Sequence, residues 1–309
     1  MSVQRPFRFG VVTERAHSGA EWREKARRAE ELGYNTFLVP DHSEKDIAPI
    51  AAMMAALDAT TRLRVGSFVF NNDLRNPTIL AKEVATLDLF SEGRFEFGLG
   101  AGYLLADYEQ TGIAFESAGV RISRFEEALR LIKQLFVEEV VNFSGTFYTA
   151  DQTKGLPIPV QKPHPPVYVG GGGQRVLSLA AREADIVGFA PKNSQKGLDF
   201  GDATARCTAN KVEWVRTAAG ERFTSLELSC IVFRVIVTND RAQALQRAAG
   251  YMGLSGEEVA GSPHVLIGTT DQIAEDLQTR RSLYGISYIE VLEEYMELFA
   301  PVVARLAGT

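Results

Sequence analysis

The stretch from Arg62 to Tyr103, RLRVGSFVFNNDLRNPTILAKEVATLDLFSEGRFEFGLGAGY, most constrains the fold, because it spells two strand-loop-helix units in succession. Arg64 to Phe70 is an apolar run of strand length, stopped by the turn-forming Asn71, Asn72 and Asp73. Pro77 suits the first turn of a helix in which Leu80, Val84, Leu87 and Phe90 recur at helical spacing. Gly93 ends that helix. Arg94 to Leu99 is a second strand, and Gly98, Gly100 and Gly102 let the backbone approach a neighbour, such as a flat ring, that a Cβ would exclude.

Strand-like runs recur at Phe7 to Val12, Thr36 to Val39, Leu63 to Phe70, Phe95 to Leu99, Val167 to Val169, Ile186 to Phe189, Leu226 to Val237 and Ile286 to Leu292. Amphipathic patterns such as Trp22/Ala26/Ala29/Leu32 and Phe125/Leu129/Ile132/Leu135/Phe136 lie between them. EELGYNTFLV and SLYGISYIEV echo one another, each placing a glycine at a helix end before a short strand. Apolar runs alternating with helices predict an α/β fold, a single (β/α)8 TIM barrel in one domain over residues 1–309. Two segments, 139–166 and 192–224, interrupt the alternation and read as insertions over the rim. The first holds five of the twelve prolines and reads as a short hairpin followed by extended chain.

A net charge of −6, from 33 basic and 39 acidic residues, offers no general field for a polyanion, so nucleic acid is not an expected partner. Two cysteines, Cys207 and Cys230, in unrelated contexts support neither a disulfide framework nor a thiolate metal site. No apolar run approaches the about 20 residues that cross a bilayer, and the N-terminus has no secretory apolar region. A cytoplasmic protein with no membrane partner is expected. His17, His164 and His264 are dispersed without metal-ligand spacing, so no metal is expected.

Four motifs carry a family likeness: VPDH at Val39 to His42, RVGSFVFNNDLRNP, LDLFSEGRFEFGLGAG, and PPVYVGGGGQRVLSLAAREAD at Pro165 to Asp185. With their order and spacing, the chain resembles the luciferase-like flavin monooxygenase superfamily, and within it the deazaflavin (coenzyme F420) dependent oxidoreductases. The resemblance covers nearly the whole chain. It implies a TIM barrel whose rim holds a flavin or deazaflavin, and a non-proline cis peptide at Phe68-Val69 forming a bulge that supports the ring. It also implies that Asp41 and His42 stand beside the ring as the catalytic pair. His42 can exchange a proton near neutral pH, and Asp41 can orient the ring or a substrate group. A structural reading makes Asp41 a helix cap and His42 a surface residue.

Gly170, Gly171, Gly172 and Gly173 join a strand to a helix opening near Gln174, where free N–H groups and the positive helix end can receive a phosphate, with Arg175 adding charge. Tight strand-helix packing is the structural alternative. Asn71 either contacts cofactor or only turns the chain. Tyr103 occupies the position where sugar-phosphate dehydrogenases of the deazaflavin family carry a glutamate, which argues against glucose 6-phosphate. It stacks on substrate or cofactor, or packs beneath the insertion, and His17 lines the pocket. The expected reaction is hydride transfer between coenzyme F420 and a small organic substrate. The alternatives are an FMN-dependent monooxygenase supplied by a separate reductase, and a non-redox phosphate-binding isomerase or ligand-binding barrel. A homodimer is expected through helices around Ile47 to Thr60 and Thr78 to Phe90.

Overall fold

The computed structural model describes residues 4–45, 47–194 and 197–309. Eight principal strands follow in sequence: β1 (Arg8–Val12), β2 (Thr36–Val39), β3 (Arg64–Ser67), β4 (Phe95–Gly100), β5 (Val167–Gly171), β6 (Ile186–Phe189), β7 (Glu227–Val232) and β8 (Ile286–Leu292). Each is hydrogen-bonded to its sequence neighbours, β8 pairs with β1, and β3 also pairs with β4. That is the strand order of a (β/α)8 barrel, as the alternation predicts. All six residues of β4 are buried, which is why it carries no polar alternation.

Two compact units divide the chain. One comprises Met1–Val12, Arg28–Thr36 and Gly170–Thr309, hereafter the terminal unit; the other comprises Thr13–Arg27 and Phe37–Val169, the central unit. In the central unit, the strand expected from Leu63 to Phe70 is interrupted after Ser67 and resumes as the short piece Phe70–Asn71, parallel to the end of β4. The Asn76 side chain accepts from the N–H groups of Thr78 and Ile79, Pro77 occupies the first turn, and the helix Pro77–Phe90 follows. Gly93, at φ 84°, then reverses the chain into β4. The first insertion is an antiparallel hairpin, Val140–Ser144 with Thr149–Lys154. Its turn is fixed by Glu127, whose carboxylate accepts the N–H groups of Thr146, Phe147 and Tyr148. Extended chain with cis bonds at Leu156-Pro157 and Lys162-Pro163 follows it.

In the terminal unit two expectations are modified. The run read as one strand from Leu226 to Val237 divides at Phe233, whose N–H donates to the His264 carbonyl. Its second half, Arg234–Val237, leaves the barrel ladder and pairs in parallel with Val265–Gly268. Helices Arg241–Met252 and Gly256–Gly261 cover this pair, and Ala249, Val259, Val265 and Ile267 form a small core of their own. The second segment read as an insertion, 192–224, includes the helix Ala205–Ala219, so the alternation continues through much of it; residues 195 and 196 lie outside the described residues. That helix buries Val212 and Val215 together with Lys211, whose ammonium donates to Asp202 at 2.6 Å and to the Ala190 carbonyl. The buried lysine disguised an otherwise amphipathic pattern.

No helix of the described residues is long and apolar enough to cross a membrane. No cluster of His, Cys, Asp and Glu among them could hold a metal ion.

Candidate active site

The central unit stitches the end of β2 to the interrupted end of β3. Phe68 N–H donates to the Val39 carbonyl at 2.8 Å, and Asn71 N–H donates to Asp41 Oδ2 at 3.1 Å. The peptide between Phe68 and Val69 is cis, at the position the resemblance implies. Both side chains are half-buried, and Phe68 packs against Tyr168 with ring centroids 5.3 Å apart. The bulge therefore presents apolar surface from a fixed frame.

Ser67 fixes that frame from behind, its hydroxyl donating to the Gly98 carbonyl at 2.7 Å and accepting the Gly98 N–H at 2.9 Å. The sequence places Gly98, Gly100 and Gly102 against a ring; the structure gives them a different neighbour. A Cβ at Gly98 would lie 2.1 Å from Ser67 O and 2.9 Å from Val69 Cγ1, and one at Gly100 would lie 2.8 Å from Val69 Cγ2. A Cβ at Gly102, where φ is 70°, would lie 2.0 Å from Tyr108 Oη. Gly98 and Gly100 make room for the bulge, and Gly102 for Tyr108.

Asp41 is 6% exposed and accepts three hydrogen bonds. Arg75 grips both its oxygens, Nε to Oδ2 at 2.9 Å and Nη2 to Oδ1 at 3.0 Å, in addition to the Asn71 N–H. These bonds tie Asp41 to the segments that follow β3 and fix the end of the Val39 to His42 segment. The Asn71 Oδ1 accepts from Asp73 N–H to cap the short helix Asn72–Leu74, while its Nδ2 is buried with no hydrogen-bond partner among the described residues.

His42 has a partner that sequence reading missed. Its Nδ1 lies 2.9 Å from Oδ2 of Asp107, a residue 1% exposed whose Oδ1 also accepts the Ser43 N–H at 2.8 Å and hydroxyl at 3.1 Å. A carboxylate facing the ring accepts, so Nδ1 carries the proton and Nε2 is the edge left to act. Tyr103 packs edge-on to the imidazole with centroids 5.6 Å apart, its Oη 3.5 Å from Nε2. Removal of the phenol from water, reinforced by the nearby carboxylates of Asp107, Glu14 and Glu44, holds the Tyr103 pKa above its ordinary value even though the residue is 53% exposed. Tyr103 is accordingly a neutral hydroxyl beside the histidine.

Asp107 was hidden because YLLADYEQTG shows no clear helical start. The helix Leu105–Thr111 is a short one with no side-chain cap at its N-terminus, and its C-cap is Gly112 in the left-handed region. His17 is exposed, and its N–H donates to Glu21 Oε2. Among the described residues no hydrogen bond joins it to His42, Tyr103 or Asp107.

In the terminal unit, Gly170 and Gly171 end β5 and Gly173 caps the helix Gln174–Glu183 with no side-chain cap bond to its first turn. A Cβ at Gly172 would lie 2.7 Å from Lys192 N and 2.8 Å from Ala190 O, so this glycine serves packing. A Cβ at Gly173 would meet nothing within 4 Å. Gly172 therefore serves packing, while Gly173 opens a helix N-terminus without a side-chain cap, with Arg175 in the first turn.

A family model described as luciferase-like monooxygenase matches residues 2–284. A protein of Amycolatopsis mediterranei (strain U-32) named F420-dependent glucose-6-phosphate dehydrogenase is 34% identical over 185 residues, 57% of this chain and 54% of that protein. The chain thus spans about half the length of the curated relatives it matches first. An FMNH(2)-dependent dimethylsulfone monooxygenase of Pseudomonas putida is 26% identical over 214 residues, 65% of this chain and 58% of that protein. The solved structure of an F420-dependent secondary alcohol dehydrogenase in complex with an F420-acetone adduct superposes with a TM-score of 0.76 at 20% identity, covering 97% of this chain and 98% of that one. That likeness shows the same fold.

Proposed function

The chain belongs to the luciferase-like monooxygenase family, and from that premise we propose that it is an oxidoreductase transferring hydride between coenzyme F420 and a small organic substrate. The observation that carries this reading is the Asp107-His42-Tyr103 arrangement on the segment stitched to the Phe68-Val69 bulge. Relatives named for F420 support the choice of cofactor.

When bound, the deazaflavin supplies or accepts the hydride. Phe68 and Val69 would hold its ring from the apolar bulge that Ser67 and Gly98 brace. Within the terminal unit, the N–H groups after Gly173, with Arg175, form a separate candidate for binding a phosphate. His42 Nε2 moves the substrate proton that accompanies hydride transfer, Asp107 fixes the imidazole tautomer, and the Tyr103 hydroxyl donates a hydrogen bond to a substrate oxygen. Asp41 acts through Arg75 and Asn71 to keep His42 in place. Tyr103, where a glutamate would face a sugar phosphate, favours a less polar substrate than glucose 6-phosphate.

The experiment is a fluorescence titration of the purified protein with F420 and with FMN. Tighter binding of F420, by about tenfold or more, is expected. A clear preference for FMN would favour the monooxygenase reading, in which a separate reductase supplies reduced flavin, and the Pseudomonas putida relative is what supports that second reading. Binding of neither ring, with binding of a sugar phosphate, would favour a non-redox barrel.

We also propose a cytoplasmic homodimer. Both cysteines are free, in keeping with a reducing compartment. The Ala52, Met53, Ala56 and Leu57 side chains of helix Pro49–Ala59 are buried within the chain, whereas helix Pro77–Phe90 exposes Ile79, Leu89 and Phe90. That apolar stripe suits a second copy. Light scattering is expected to give about twice the 33.9 kDa chain mass, and Phe90→Glu a monomer; a monomeric parent protein would remove this element.

A further inference from the structure

Within the central unit a buried hydrogen-bonded chain runs from the bulge toward Asp107 without passing through His42, and the proposed chemistry gives it no role. Asp73, a buried carboxylate, is its centre. Arg124, on the helix Ala118–Val137, engages both its oxygens, Nε to Oδ1 at 2.8 Å and Nη2 to Oδ2 at 2.9 Å. The Tyr108 hydroxyl lies 2.9 Å from Asp73 Oδ2 and 3.5 Å from the Ala101 carbonyl oxygen, so the nearer, charged acceptor takes its proton. Burial, reinforced by the Asp73 charge, holds the Tyr108 phenol above its ordinary pKa and keeps it a donor.

Tyr108 is buried and follows Asp107 directly in the helix Leu105–Thr111. That helix has seven residues and no side-chain cap at its N-terminus, so little within it fixes its roll. The edge-on contact of Tyr108 with Phe115, centroids 4.7 Å apart, resists separation but permits sliding. A directed bond to a carboxylate that is itself held in two places does not. At the other end of the chain, Asp73 N–H donates to Asn71 Oδ1 at 3.0 Å, and Asn71 N–H donates to Asp41. Asp107 is thus referred to the same frame that carries Phe68 and Val69.

We infer that Tyr108 and Asp73 are positioning residues, which act through Asp107 to hold the His42 imidazole in its Nδ1–H tautomer. A buried ion pair is a weak device for stability, since apolar side chains of the same volume would fill the space with less desolvation, but it fixes a direction. Direction is what the Asp107 carboxylate needs, because the 2.9 Å bond to His42 Nδ1 weakens steeply with misalignment. The inference rests on the reading of His42 as the group that moves the substrate proton.

Nitrogen NMR of the histidine-labelled full chain, without cofactor and above neutral pH, reads the tautomer, the His42 signals being those that His42→Ala removes. The parent protein is expected to show the Nδ1–H form. Tyr108→Phe keeps the ring and removes only the hydroxyl. It is expected to draw the two His42 nitrogen signals toward one another as the Nε2–H form becomes populated, and in turnover to lower kcat about tenfold with KM within about twofold. Asp73→Asn should displace the same signals. Tyr34→Phe, which removes a buried hydroxyl bond to the Met296 carbonyl in the terminal unit, should leave them in place. Unmoved His42 signals in a folded Tyr108→Phe or Asp73→Asn protein, or equal displacement by Tyr34→Phe, would overturn the proposal, and an Nε2–H imidazole in the parent protein would do so without any variant. The tautomer comparison needs no turnover, so failure of the cofactor reading is told apart from failure of this one.

Discussion

Replacing His42 with alanine is expected to lower kcat by about 10² to 10⁴ while leaving cofactor binding within about twofold, since a general acid-base group contributes in that range. The split follows from geometry. His42 offers Nε2 outward and is held from behind through Nδ1 by a carboxylate that is 1% exposed, whereas the bulge is braced by Ser67 and Gly98 independently of the imidazole. Asp107→Asn should retain folding and cofactor binding yet cost roughly tenfold to a hundredfold in kcat, because a charge-assisted hydrogen bond that sets the tautomer is weakened. Asp107→Glu should recover part of it. Steady-state kinetics beside a cofactor titration reads both quantities. Full turnover by His42→Ala would take the imidazole out of the mechanism.

Gly98→Ala is expected to destabilise the protein by about 3 kcal/mol or more, at the upper end for an overpacked core position. The added methyl would sit 2.1 Å from a backbone oxygen, Ser67 O, and 2.9 Å from Val69 Cγ1. A backbone atom cannot rotate aside as a side-chain end can, and Ser67 is tied to both the N–H and carbonyl of the same glycine. Relief therefore requires β3 and β4 to part. Gly173→Ala is the control: nothing lies within 4 Å of its Cβ position, so only the poorer N-cap propensity of alanine acts, costing about 1 kcal/mol or less. Urea unfolding of the two variants separates the cases. A Gly98→Ala protein as stable as Gly173→Ala would mean that the space behind the bulge is not tightly filled.

The barrel was legible in the sequence because its strands are buried on both faces and appear as short apolar runs, and because Gly33 and Gly285, both at positive φ, end helices just before β2 and β8. The bulge was expected from the family resemblance alone, with the RNP that follows it serving to place it at Phe68-Val69. What escaped depends on contacts between distant positions. Asp107 lies 65 residues from His42, and nothing local to ADYEQ distinguishes a carboxylate that fixes a histidine from one facing solvent. The glycines of β4 were located correctly, but the neighbour they accommodate, Val69, lies in the bulge that follows β3. Asp41 likewise spells an acid at a strand end, and only Arg75 and Asn71 reveal that its charge is spoken for. The departure of Arg234–Val237 from the barrel was hidden because its apolar residues continue the β7 run without a turn residue between them.

That departure bears on how such a chain diversifies. The parallel pair Arg234–Val237 and Val265–Gly268, with its two helices, has a hydrophobic interior of its own in Ala249, Val259, Val265 and Ile267. Substitutions among those four residues are met first within the appendage, which the Ser262 hydroxyl ties to the Ala203 carbonyl and Arg280 to the Val265 carbonyl. The appendage can therefore repack its own interior while the barrel strands on either side keep their ladder.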